Sequence, residues 1–294
     1  MAQLRVGAGG SYKIAAQQNL HEGLSLLTDT IYAKKLVGCT SLAEAERAIH
    51  ETVLWQLRVL AGWMPATGTR LIRTAAGVYE IANILSLYRS LASGQPAIKF
   101  LDVGALATAW PQLREATSIA QLTQALRSSP WGDSASGDTA VSQDVLTLVW
   151  MRRLADVAAP ARPWAEAVSA VTAARILFVE NVAPSPRIIQ VVLPLLGQSW
   201  LSAKSFSELQ EALPSSTRLL FAGITTPEDL WRAEARVWAQ VERDGFRLLR
   251  NSLPGSEVVL GAIAILATDA WRVCAALAAA SIGSGSSEVL NAVA

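Results

Sequence analysis

Apolar residues along this chain recur at three- and four-residue steps, with no convincing period-two alternation, so the pattern predicts helices and no strands. Residues 67–91 and 257–280 are apolar on nearly every side, which marks them as central helices. Thr226-Pro227-Glu228-Asp229 is a start signal: a cap, a proline in the first turn, then two acids near the positive end of the dipole. Beyond it Trp231, Ala235, Trp238, Val241 and Leu249 follow one face, predicting an amphipathic helix about 36 Å long.

Three of the predicted starts share one pattern. Ser41 precedes Glu44, Ala48 and Ile49; Ser118 precedes Gln121, Ala125 and Leu126; Ser205 precedes Glu208, Ala212 and Leu213. Serine followed three residues later by Glu or Gln is a capping box. Its recurrence roughly every 80 to 90 residues predicts three versions of one helical unit. The units are read as residues 12–96, 97–183 and 184–281, with 282–294 a frayed tail.

Composition adds limits. The chain has 294 residues and a net charge of +1, and no basic stripe is interleaved with aromatics, so nucleic acid is not an expected partner. Ten tryptophans are unusual, and Trp63, Trp110, Trp131 and Trp164 lie beside Pro or Gly, as core wedges at helix ends would. The apolar runs at 258–268 and 188–201 are interrupted by Asp269 and Arg272 in one case and by Pro194 and Gly197 in the other. Neither matches the roughly 20 apolar residues of a membrane span, so a soluble chain is expected. The first residues lack the apolar core of an export signal, and Cys39 and Cys274 are read as reduced thiols.

No catalytic constellation emerges. There is no phosphate-binding P-loop and no G-x-S-x-G elbow. Gly7-Ala-Gly9-Gly10 lacks the strand and the distant acid of a dinucleotide site and is read as a flexible start. His21 and His50 have no partner at metal-ligand spacing, so no metal or cofactor is expected. The polar residues on the apolar helices are the better candidates. Glu80 and Asn83, with Tyr79, share a helix face, and Arg89 follows; Asp269 and Arg272 are three apart. Either they satisfy neighbouring helices inside the fold, or they line a surface that receives a partner; Asp269 and Arg272 also suit a local ion pair.

The run from Trp63-Met-Pro65 through Leu71, Tyr79, Glu80, Asn83 and Ile84 to Arg89 resembles a helix of the C/d subunit of V-type (vacuolar and archaeal-type) rotary ATPases. The turns at Trp110-Pro111 and Ser129-Pro130-Trp131-Gly132 and the closing helix from Glu257 are similar to that family as well. The resemblance implies an all-α fold of three similar modules arranged as a pseudo-threefold funnel. It implies a non-catalytic adaptor, peripheral on the inner face of the cell membrane, joining the rotor-stalk subunits to the proteolipid ring. Glu80, Asn83, Arg89, Asp269 and Arg272 would then contact the partner. The second unit departs from the pattern: the segment from Ala173 to Glu180 contains no Asn. A stand-alone all-α binding scaffold and a metal-free all-α enzyme are the competing readings.

Overall fold

A computed structural model describes residues 5–96, 99–134, 141–250, 255–286 and 290. The protein is all-α, with no strand among the described residues. The helices are α1 (Gly7–Ala15), α2 (Leu20–Ser25), α3 (Ala33–Leu36), α4 (Leu42–Trp63), α5 (Ala66–Ala75), α6 (Gly77–Ser93), α7 (Trp110–Leu113) and α8 (Ile119–Arg127). They continue as α9 (Gln143–Val157), α10 (Arg162–Ala174), α11 (Pro186–Leu196), α12 (Phe206–Ala212), α13 (Ser215–Arg218), α14 (Leu230–Leu249) and α15 (Ser256–Ser281).

All three repeated signatures open helices. Ser41, Ser118 and Ser205 have extended backbones, and their hydroxyls accept from the amides of Glu44, Gln121 and Glu208 at 3.3, 3.2 and 3.2 Å. The Glu44 carboxylate reaches back to the amides of both Thr40 and Ser41. Gln121 and Glu208 instead accept from Thr117 and Lys204, one residue before the cap. Ser41→Ala is expected to cost about 1 kcal/mol and to lower the melting temperature by ~2–4 °C, measured by circular dichroism.

Two compact units emerge: residues 1–72 with 238–294, and residues 73–237. The divisions fall inside α5 and α14, not near 96 or 183. In the first unit α15 is the core helix and packs against α1, α2 and α4. Gly245 and Gly261 let α14 and α15 approach closely, since a Cβ on Gly261 would lie 2.7 Å from the carbonyl oxygen of Gly245. Trp238 and Trp271 stack at 5.2 Å in the same unit. α15 is the one described helix long and apolar enough to cross a membrane by length and composition, and most of its apolar window is buried inside the protein. In the second unit α9 packs on α6, α10 and α11, while α6 also meets α7 and α8.

Four local expectations change. The helix predicted over 67–91 is two helices broken at Ala76, and beside the break a Cβ on Gly77 would lie 2.9 Å from Trp150 and 3.3 Å from Trp131. The glycine lets these indoles close on the backbone at the break. The glycine-rich start is helical, as α1, because Asp269 accepts its first free amides. Within the predicted tail, residues 287–289 and 291–294 lie outside the described residues, but Leu290 is buried and its carbonyl accepts from Tyr12 Oη at 2.9 Å. Trp110, Trp131 and Trp164 are buried, whereas Trp63 is 78 % exposed.

Candidate functional site

Each unit contains a buried carboxylate on an apolar helix, and the two are built alike. In the second unit Glu80, on α6, is 1 % exposed. Its oxygens accept from the amides of Thr108 and Ala109 at 2.6 and 2.9 Å and from Trp131 Nε1 at 2.6 Å. In the first unit Asp269, on α15, is 2 % exposed. It accepts from the amides of Val6 and Gly7 at 3.2 and 2.7 Å and from Tyr32 Oη at 2.9 Å.

Both carboxylates therefore take two consecutive amides at a helix N-terminus, that of α7 or of α1, and one aromatic donor. The amides at a helix start have no intrahelical partner, and the helix dipole favours negative charge there. Charge-assisted bonds of this kind are the strong ones. Each clamp fixes where another helix begins, α7 for Glu80 and α1 for Asp269.

The surrounding polar groups extend the clamps. Asn83 lies one turn beyond Glu80 and grips the backbone of Leu101 at two points, donating from Nδ2 to its carbonyl at 2.8 Å and accepting from its amide at 2.7 Å. The Arg153 guanidinium lies 5.2 Å over the Trp131 ring. Burial pulls the pKa of Arg153 down, while the nearby charge of Glu80 opposes that shift. In the first unit Arg272 forks onto both oxygens of Glu242, with the Nη2–Oε2 contact at 2.7 Å. Arg5 meets Glu242 at 3.5 Å and lies 4.6 Å over the ring of Phe246.

The sequence-derived candidates thus fall into separate places. Glu80 and Asn83 face the same crossing segment, residues 101–109. Arg89 is exposed, and nine residues beyond Glu80 places it on roughly the opposite side of α6. Asp269 and Arg272 are both buried and engage different elements of their own unit. Sequence reasoning missed Tyr32, Glu242 and Arg153, which carry no local motif, and read Trp131 as a core wedge at a turn without its hydrogen bond to Glu80.

Among the described residues no group of three His, Cys, Asp or Glu side chains is arranged to hold a metal ion. An open depression of about 570 Å³ at the end of α14 is lined by Arg243, Asp244, Phe246, Arg247, Leu249 and Arg250. It lies along a single helix. Burial pushes the Cys274 thiol up to about 12, far from a reactive thiolate near neutrality.

Burial lowers the pKa of His50 from its ordinary value of 6.5. The unfolded chain therefore takes up this proton before the folded one does. His50 costs no stability above pH 6.5, and stability is lost as pH falls below that value toward the folded pKa. Between about pH 7 and pH 5 the wild type is expected to lose more melting temperature than His50→Gln; parallel curves would contradict this. No protein-family profile matches the chain, and no curated protein matches it.

Proposed function

We propose that this chain is a non-catalytic adaptor of the C/d kind in a V/A-type rotary ATPase, joining the central stalk to the membrane proteolipid ring from the cytoplasmic side. The observation that carries the reading is the repeated clamp: in each unit a buried carboxylate on an apolar helix locks the start of another helix and an aromatic side chain. A part that transmits torque needs helices that cannot slide on one another, and three-donor clamps resist such sliding. The three capped starts, at Ser41, Ser118 and Ser205, support a repeated plan. On this reading the repeats are three modules around a common axis, forming a funnel.

The test is mild detergent extraction from native membranes with the chain tagged at its natural locus. Co-purification of proteolipid and stalk subunits is expected. A monodisperse monomer free of those partners overturns the reading.

One observation favours the second reading, a stand-alone all-α binding scaffold. Glu80, Asn83, Asp269 and Arg272, which the resemblance assigns to partner contact, all hold groups of their own chain. Of the five residues so assigned, only Arg89 is exposed. A scaffold of this kind would meet partners through its surface, and its gene would not lie among motor genes.

A further inference from the structure

The depression at the end of α14 is walled by three exposed arginines, Arg243, Arg247 and Arg250. They follow one another at four- and three-residue steps, which places them on one face of the helix. Residues 243–250 contain one acid, Asp244, and Arg247 engages it at 2.9 Å. Arg250 donates from Nε to the carbonyl of Phe246 at 3.2 Å, an uncharged partner. Among the described residues Arg243 has no hydrogen-bond or ion-pair partner. The charges of Arg243 and Arg250 are thus unanswered within this stretch. Arg5, over the ring of Phe246, adds a further cation beside it and shares its acid, Glu242, with Arg272.

Stability of the fold does not account for this stripe. Cations favour the last turn of a helix, where the dipole is negative, and Arg247 and Arg250 sit at that end. Arg243 stands more than a turn before Leu249, where α14 ends, and beyond the reach of that effect. Like charges four apart on a helix repel, as Arg243 and Arg247 do. The opposite face of α14 is pinned: a Cβ on Gly261 of α15 would lie 3.0 Å from both the Leu248 Cβ and the Leu249 amide nitrogen. The arginines are therefore carried on a backbone that cannot turn away, as a preformed site requires.

We infer that this depression binds a soluble diphosphate group through Arg243 and Arg250, with Arg247 between them. Its volume of about 570 Å³ is that of a small-molecule site, typically about 300–1,000 Å³. Guanidinium forks match phosphate oxygens and hold them by charge-assisted bonds. Arg243 and Arg250 stand about 10.5 Å apart along the helix axis, a span that suits two linked phosphoryl groups better than one carboxylate. Two unanswered cations also call for more than one negative charge. A nucleic-acid strand fits less well, because the stripe ends within about two helical turns and the chain's net charge is only +1. Binding here is separate from the proposed adaptor role.

The experiment is isothermal titration calorimetry of the purified full chain with sodium pyrophosphate at low salt. Binding at one site per chain is expected, and it should weaken as salt is raised. Arg243→Gln, with circular dichroism and melting temperature unchanged, is expected to weaken it about tenfold. Arg243→Lys keeps the charge but loses the fork, and should recover part of that loss. Arg114→Gln removes an exposed arginine of the other unit and is expected to change nothing. Parallel titration with ADP separates two sources of the group. Affinity equal to that for pyrophosphate assigns the site to the diphosphate alone, and tighter binding that also depends on Arg243 assigns it to a nucleotide that carries one. Absence of binding by the wild type, undiminished binding by Arg243→Gln, or an equal loss in Arg114→Gln overturns the assignment. Co-purification with motor subunits is untouched by any of these outcomes.

Discussion

Glu80→Ala is expected to destabilise the protein by about 3–5 kcal/mol, enough to leave it partly unfolded at moderate temperature. Removing the carboxylate strands three donors at once: the part-buried amide of Thr108, the buried amide of Ala109 and the buried indole N–H of Trp131. Each unmade bond costs about 1–3 kcal/mol, and partial relaxation keeps the sum below the simple total. The variant also withdraws the negative charge near Arg153, a half-buried cation. Glu80→Gln restores shape but only one accepting oxygen, so it should recover part of the loss. Urea unfolding followed by tryptophan fluorescence measures both. If Glu80→Ala unfolds within about 1 kcal/mol of wild type, the clamp is not what holds this unit together. Intact stability with lost partner capture would instead return Glu80 to a partner-contact role.

The helix starts were legible in the sequence because a cap is local. Ser41 needs only Glu44 three residues away, and the geometry follows from one turn of backbone. Features that depend on distant chain were not legible. The donors that satisfy Asp269 are Val6, Gly7 and Tyr32, more than 230 residues away in sequence. Periodicity therefore showed that a carboxylate sat on an apolar helix without showing what it would hold. Grouping Arg89 with Glu80 and Asn83 followed linear spacing, but two and a half turns carry it round to solvent on α6. The break at Ala76 was hidden for a related reason, since the apolar run continues through it, and the indoles that close on Gly77 beside it come from distant Trp131 and Trp150. Trp63 shows the limit of composition: an indole beside Pro and Gly reads as a wedge, and here it faces outward.

Asp269→Ala carries the second large effect, and it should be local before it is global. The carboxylate holds the first amides of α1 and the hydroxyl of Tyr32, which is fully buried. Its loss takes their carboxylate acceptor away from all three donors beside an otherwise apolar helix, at a cost of about 3–4 kcal/mol. α1 also packs along α15, so apolar contact keeps part of it in place after the clamp is cut. The expected signature is faster amide hydrogen exchange through residues 6–16, with the amides of α9 and α10 in the other unit unchanged. Tyr32→Phe removes one donor from the clamp and leaves the carboxylate with two, so it should cost about 1 kcal/mol. If both residues act through the same clamp, the double variant will cost less than the sum of the two singles. Additive costs would mean that Tyr32 and Asp269 stabilise the unit separately. The rigidity required by the proposed adaptor role would then need another source.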